Sequence, residues 1–356
     1  MSKQMNLAFS KKLLQWNKQE NKRIMPWKGE TDPYKIWLSE IILQQTRVEQ
    51  GWSYYEKFIK TFPTVNDLAK ASEKKIFKLW EGLGYYNRCK NLIATAKKIS
   101  KRNQGKFPET YDEIKNLKGV GPYTAAAITS FAFNLPYAVV DGNVERILSR
   151  YFAIDTPVDT AEGKKMYNNL ANALLDKKNP SIYNQAIMDF GATICKPRNP
   201  LCTQCPQHKD CQSYQHNLVN LLPVKAKKLT KKQRWLYYFI IELGDAIYIG
   251  KRIKRDIWEN LYEFVLFETN QAINREEMLS SDFLKNILIK TKMTIDKISD
   301  VYKQQLTHQT IHVQFIHIII SKPVEISGYF TVNKKDIGKY PFPKSIAAHL
   351  KQSEMF

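Results

Sequence analysis

Four cysteines fall within seventeen residues near the middle of the chain: Cys195, Cys202, Cys205 and Cys211, spaced C-x6-C-x2-C-x5-C. Cys89 is the only other cysteine in the sequence. Thiols this close together suit a metal ion or an iron–sulfur cluster, whereas scattered cysteines do not. They also mark a division: the sequence before them reads as helical, and the sequence beyond the next linker reads as largely β.

Composition narrows the class. At 356 residues the chain has room for two ordinary domains, each with its own core. Its 55 Lys+Arg against 34 Asp+Glu leave a formal charge of +21, a surplus that predicts a polyanionic partner such as nucleic acid or an acidic membrane surface. The bland alternative is a lysine-rich compositional bias. No apolar run approaches the roughly 18 residues needed to span a bilayer, and the N-terminus lacks the apolar core of a signal peptide. The expectation is a soluble, cytoplasmic protein, and in that reducing compartment clustered thiols favour metal ligation over disulfides.

Residues 1–217 form the helical half, with apolar residues at helical intervals in Ile36–Trp37–Ile41–Val48, Leu68–Ile76–Leu79–Trp80 and Tyr183–Ile187–Phe190. Residues 218–234 read as a linker containing Pro223 and six basic residues between Lys225 and Arg234. In residues 235–356, Trp235–Leu243, Ala246–Ile253 and Ile311–Ile320 have the β-branched and aromatic content of strands.

Three places in the helical half hold chemistry. The first is Lys118-Gly119-Val120-Gly121 between two helical stretches, with Pro122 opening the second. Glycines permit left-handed backbone and close approach, and the free amides of a helix start can bind a phosphate without reading sequence. The bland reading is an ordinary turn between helices. The second is Asp141, where the extended Leu135–Val140 meets a helical stretch. It reads first as an N-cap, and alternatively as a carboxylate kept ionised by the positive helix end. The third is Glu40, flanked on its helix face by Ile36 and Leu43. Such a setting raises a glutamate pKa toward the protonated form that a general acid needs. Gln44 and Gln45 are polar outliers in the same stretch and read as hydrogen-bonding probes.

Taken together, the glycine turn, Asp141 and the cysteine spacing resemble the helix-hairpin-helix DNA glycosylases that carry a 4Fe–4S cluster. Within that superfamily the chain resembles the MutY adenine-glycosylase family in three stretches. These are Pro33-Tyr34-Lys35-Ile36-Trp37-Leu38-Ser39-Glu40 through Leu43-Gln44-Gln45-Thr46, then Gly82-Leu83-Gly84-Tyr85-Tyr86, then Asp141-Gly142-Asn143-Val144. In the β-rich half, Trp258-Glu259-Asn260-Leu261-Tyr262-Glu263-Phe264 resembles the Trp-x-x-Leu-x-Glu-Phe pattern of the Nudix-like domain that this family appends. The resemblance implies an α + β multidomain protein. An all-α helix-hairpin-helix glycosylase domain with a cluster loop at 195–211 would be followed by an α/β Nudix-like domain.

It also implies a function: monofunctional excision of adenine paired with 8-oxoguanine or guanine in duplex DNA, after the base is flipped from the stack. Glu40 would protonate the base and Asp141 would stabilise the cationic sugar, with Asn143 and Tyr123 steadying Asp141 or the sugar. Trp27 and Asp189 would form the base pocket. Gln44, Gln45, Tyr85 and Lys118 to Gly121 would contact DNA, and the four cysteines would hold one 4Fe–4S cluster. A lysine after Pro122 would signal a bifunctional lyase; Tyr123 stands there instead. The acidic Nudix box is missing, so the resemblance implies no pyrophosphate hydrolysis. The lesion-reading turn of the family, Phe-Ser-His, is here Leu306-Thr307-His308, so Thr307 and His308 would read the lesion without the aromatic ring. Lys28 departs from a common arginine. The protein would act as a monomer in the bacterial nucleoid. Competing readings are a thymine glycosylase on G·T mismatches, a bifunctional pyrimidine-lesion enzyme, a non-catalytic cluster protein that binds DNA or senses redox state, and zinc in place of the cluster.

Overall fold

The computed structural model describes residues 3–226, 231–288, 291–306 and 308–353. The chain divides into two compact units, Met1–Lys70 with Asn91–Lys228 and Ala71–Lys90 with Leu229–Phe356. Residues 227–230 of the basic linker lie outside the described residues.

The first unit is helical. It opens with α1 (Lys3–Gln19), α2 (Pro33–Leu43), α3 (Val48–Thr61) and α4 (Val65–Lys70). The chain then supplies α5 (Glu73–Trp80) and the start of α6 (Tyr86–Asn103) to the second unit. The rest of α6, α7 (Tyr111–Lys115), α8 (Pro122–Phe133), α9 (Gly142–Tyr151), α10 (Ala161–Leu174), α11 (Pro180–Thr193) and α12 (Gln212–Gln215) complete the first. Helix starts follow local chemistry. Asp32, Thr110, Asp141 and Thr160 each accept a hydrogen bond from a first-turn amide, and Pro33, Pro122 and Pro180 occupy first-turn positions. Ser72 caps α5 in the same way, so the apolar run from Leu68 to Trp80 is two helices.

The main core of this unit gathers Phe9, Leu13 and Trp16 of α1, Ile147, Leu148 and Tyr151 of α9, Tyr167 of α10, and Tyr183, Ile187 and Phe190 of α11. Helix α8 is buried from Thr124 to Ser130, and its three consecutive alanines let it lie close to α2. That packing places the glycine turn, Glu40 and Asp141 on three adjoining elements.

In the second unit, eight described strands make one mixed sheet. At its centre β1 (Lys232–Leu243) runs parallel to β7 (Gln309–Ile320). β1 also pairs antiparallel with β2 (Ala246–Lys251) and β4 (Val265–Thr269), and β2 with β3 (Tyr262–Glu263) and β8 (Tyr329–Asn333). β5 (Met293–Ile298) and β6 (Tyr302–Gln305) pair antiparallel with β7. Tyr237, Phe239, Ile241, Ile316 and Ile318 face Met278 of α13 (Arg275–Leu279) and Leu284 of α14 (Asp282–Leu288). On the opposite face Phe315 stacks on His349 of α15 (Lys344–Gln352) at 3.9 Å. The stretch from Ala71 to Lys90 is fastened within this unit by Lys90–Glu259 at 2.7 Å and by the Phe342 amide donating to Glu81 at 2.8 Å. The strands expected at 235–243, 246–253 and 311–320 are present, but β1 starts at Lys232, within the stretch expected to be linker, β7 starts at Gln309, and β2 ends two residues before Ile253. No described helix is long and apolar enough to cross a membrane.

Candidate active site

The first unit holds a cleft of about 480 Å³. Glu40, Tyr123, Asp141, Asn143 and Trp27 all line it, although they come from α2, α8, the start of α9 and the segment before α2. Glu40 sits on a helix whose residues 36–42 are all buried and is itself 6% exposed. Burial raises its carboxyl to about 7. The hydrogen bond donated by the Tyr123 hydroxyl pulls it down, and the negative charge of Asp141 pushes it up. Near neutral pH this carboxyl is therefore poised to hold or give a proton.

Asp141 has a different setting. It caps α9, and both sequence readings of it meet in one residue. Oδ1 accepts from the amides of Asn143 (2.9 Å) and Val144 (2.8 Å), and Oδ2 from the Asn143 side-chain amide (2.7 Å). Burial raises this group too, but those donors and the Arg146 guanidinium oppose the shift by favouring the ionised form. Two carboxyls thus face one cleft, one with an apolar surround and the other ringed by donors. Burial lifts both groups, and the charge of Asp141 lifts Glu40 further, while only Asp141 has several donors that favour its ionised form.

Trp27 is fixed edge-to-face against Tyr55, with centroids 5.4 Å apart. Asp189 is not a wall residue: it is fully buried on α11 behind the lining, bonded to Asn21, Arg23, Lys28 and Gln185. Gln185, one turn before Asp189, does line the cleft, as do Arg23 and Lys28. Sequence reasoning passed over Gln185 and Arg23, and the available signal was the four-residue spacing of Gln185 and Asp189 on one helix.

The glycine turn joins α7 to α8 as expected. Gly119 has φ +81°, and a Cβ there would lie 2.7 Å from the Asn91 Cβ, so glycine is required. Lys118 is exposed, its carbonyl held by the Thr95 hydroxyl at 2.9 Å, while Val120 is buried. Gly121 is the N-cap of α8 and brings no side-chain cap, with open space around it. Gln44 ends α2 and donates to Thr124 Oγ1 at 3.3 Å, while Gln45 is exposed in left-handed backbone. Tyr85 belongs to the second unit, is 45% exposed and also has positive φ. The Arg88 guanidinium stands 5.3 Å from its ring and 5.2 Å from that of Trp80.

Cys195, Cys202, Cys205 and Cys211 line one small cavity with Ile194, Pro200, Leu201 and Val219. Among the described residues no three His, Cys, Asp or Glu stand close enough to hold a single metal ion. Four thiols around one small cavity are a donor set that an iron–sulfur cluster would fit. Burial pushes the Cys205 thiol up to about 12 and raises Cys202 and Cys211 as well. Helix α9 is tied to this loop: Arg146 donates to the carbonyls of Cys195 (2.9 Å) and Gly191 (2.7 Å), and Arg150 to that of Lys196 (2.8 Å). The same Arg146 holds Asn143 Oδ1 at 2.9 Å. These two arginines were not singled out from sequence.

In the second unit Trp258, Leu261, Glu263 and Phe264 are buried, and Glu263 is paired with Arg252 and accepts from Tyr238. His308 is exposed in the turn between β6 and β7, its carbonyl accepting from Lys232 at 3.1 Å. Thr307 lies outside the described residues.

Comparison with known proteins gives these features a common origin. Residues 38–172 match the model for HhH-GPD superfamily base excision DNA repair proteins, and residues 237–352 match that for the NUDIX domain. A solved thermostable thymine-DNA glycosylase is 30% identical with a TM-score of 0.56, covering 60% of this chain and 98% of its own. An endonuclease III trapped on DNA shares the fold of the helical part, with a TM-score of 0.54 at 20% identity, covering 61% of this chain and 99% of its own. The adenine DNA glycosylase of Mus musculus is 41% identical over 218 residues, 58% of this chain and 42% of the mouse protein. That of Buchnera aphidicola subsp. Baizongia pistaciae is 35% identical over 334 residues, spanning 93% of this chain and 90% of the relative. Similarity that runs through both units, cleft and sheet alike, means that the chain belongs to the adenine DNA glycosylase family.

Proposed function

We propose that this protein removes adenine mispaired with 8-oxoguanine, or with guanine, from duplex DNA, the first step of base excision repair. The observation that carries this reading is the pair of carboxyls, Glu40 and Asp141, held in one cleft, the first buried on an apolar helix face and the second ringed by hydrogen-bond donors. The adenine enters the cleft flipped out of the duplex. Protonated Glu40 donates its proton to N7, and the C1′–N9 bond breaks with its electron pair going to the base. The sugar is left with oxocarbenium character, which ionised Asp141 stabilises as an ion partner or through a transient covalent adduct. Water then adds to C1′, its proton returning to Glu40, and an abasic site remains. Asn143 holds Asp141 through two of its three hydrogen bonds.

Tyr123 stands where a lyase would carry its amine nucleophile, which supports hydrolysis without strand cleavage. Gly119, Gly121 and the uncapped start of α8 support phosphate contacts, with Lys118, Gln45 and Tyr85 as further DNA contacts. When bound at the four cysteines, a 4Fe–4S cluster would supply a structural brace for the loop bearing Lys196 and Arg198. Thr307 and His308 are proposed to read 8-oxoguanine. The protein would work as a monomer on nucleoid DNA. A thymine glycosylase reading draws on a relative that covers 60% of this chain, against 93% for the Buchnera adenine glycosylase.

Product analysis tests the reading. Protein incubated with duplex carrying A opposite 8-oxoguanine should release free adenine and leave a strand that breaks only after alkali. Strand breaks before alkali, persisting when nearby lysines are replaced, would refute the monofunctional assignment. Release of no adenine would refute the reaction itself.

A further inference from the structure

The wall of the cleft between α1 and α2 has no regular secondary structure from Asn21 to Met25 and only turns from Pro26 to Gly29. Yet this segment supplies Arg23, Met25, Trp27 and Lys28 to the lining. A segment without helix or strand bonds needs other anchors to hold a fixed shape, and here they meet at one atom group. Asp189 on α11 is fully buried. Its Oδ1 accepts from Arg23 Nη1 (2.9 Å) and Gln185 Nε2 (2.9 Å), and its Oδ2 from Lys28 Nζ (2.8 Å) and Asn21 Nδ2 (2.9 Å). Lys28 also donates to the carbonyl of Arg23 at 2.9 Å, closing the segment on itself. Three of the four donors lie between Asn21 and Lys28, and two carry full charge.

We propose that Asp189 is a positioning residue for adenine excision, a buried anion that pins the Asn21–Lys28 wall of the base pocket from behind. The proposal rests on the functional reading above and deepens it. With four donors already on its two oxygens and no exposed surface, Asp189 is committed to its partners and acts through them. An isosteric amide cannot replace it. The NH2 of asparagine would face donors on at least one side, and a buried guanidinium and ammonium would lose their counter-charge. The wall carrying Trp27 and Met25 would then shift, and a displacement of about 1 Å at a reacting centre slows chemistry on the order of 100-fold.

The test uses the full-length, cluster-loaded protein, Asp189→Asn, Asp189→Glu, and both changes made again on an Arg23→Gln/Lys28→Met background. The expected result for Asp189→Asn is a single-turnover adenine excision rate lower on the order of 100-fold. Affinity for a duplex with an abasic-site analogue, which places no base in the pocket, should not change. Asp189→Glu, which keeps the charge, should recover most of the rate. On the Arg23→Gln/Lys28→Met background, Asp189→Asn should add little further loss, since the partners are already gone. Trypsin should cut after Arg23 or Lys28 in Asp189→Asn under conditions that leave the unsubstituted protein intact. Wild-type rates in folded Asp189→Asn, or losses that multiply in full with those of Arg23 and Lys28, would overturn the proposal. If Asp189→Asn does not fold, equal rates for Asp189→Glu, the Arg23→Gln/Lys28→Met protein and the unsubstituted protein would overturn it instead. Failure of the unsubstituted protein to release adenine refutes the functional reading, while the trypsin result still decides the pin.

Discussion

Replacing Tyr123 with phenylalanine removes one hydroxyl from the cleft and should move the pH range over which the protein works. That hydroxyl donates to Glu40 and favours the ionised carboxylate, against the burial that lifts the group to about 7. Glu40 is 6% exposed, so solvent screens the interaction little. A hydrogen bond to a charged group contributes about 1.5–3 kcal/mol, and one pKa unit corresponds to about 1.4 kcal/mol. Loss of the donor should therefore raise Glu40 by about one to two units. The acid must be protonated to act, so its contribution is complete below its pKa and falls about tenfold per pH unit above it. For the unsubstituted protein the alkaline limb of the single-turnover excision rate should begin near 7, the value of Glu40. For Tyr123→Phe it should begin at about 8 to 9 by the same arithmetic. The assay is single-turnover excision of A opposite 8-oxoguanine across the neutral and alkaline range, read from the shape of each profile so that a uniform loss of rate does not matter. An alkaline limb that stays in place, or moves to lower pH, would refute the link between Tyr123 and the acid.

Three further outcomes follow from the geometry. Glu40→Gln should abolish excision yet stabilise the fold at alkaline pH. A carboxyl raised on folding contributes stability below its unfolded pKa and loses it as pH rises through the folded one. The gap between 4.5 and about 7 makes the gain on the order of 3 kcal/mol above pH 7, measurable by denaturant melts. Gly119→Ala should lower stability by about 1–2 kcal/mol through left-handed backbone alone, with the 2.7 Å approach to Asn91 adding to it, and should weaken binding to abasic-analogue duplex in anisotropy titrations. Protein purified without oxygen should be brown and hold iron and sulfide in equal amounts. Colourless, zinc-loaded protein would overturn the cluster.

The parts of this molecule that are set by neighbours in sequence were legible before the structure. The Gly119–Gly121 turn, the cap at Asp141 and the apolar face around Glu40 depend on residues within one or two helical turns, and the four cysteines fall within one stretch of seventeen residues. What joins them depends on distant partners. Tyr123 reaches Glu40 from 83 positions away, and the donors to Asp189 from the N-terminal segment stand 161 to 168 positions away. No periodicity marks such pairs, because one is made by the packing of α2 on α8 and the others by the segment after α1 reaching α11. Arg146 and Arg150 read as the polar face of an amphipathic helix, and only the fold reveals that they are buried against the cysteine loop. The grouping of Ala71–Lys90 with the sheet-bearing unit was likewise invisible, since it rests on contacts such as Lys90–Glu259.

If Glu40 and Asp141 together excise adenine, both the choice of base and the loss of either carboxyl are decisive. The most direct measurement compares, in parallel, single-turnover cleavage of duplexes carrying A opposite 8-oxoguanine, A opposite guanine and T opposite guanine, for the unsubstituted protein and for Asp141→Asn. Asparagine caps a helix as well as aspartate does: its carbonyl can keep the two amide donors and its NH2 costs only the contact with the half-buried Asn143 side chain, so the variant should fold and bind DNA. Excision should occur from both adenine duplexes, fastest opposite 8-oxoguanine, with none from the thymine duplex and none by the variant. Thymine release, or adenine release that survives Asp141→Asn, would contradict this assignment.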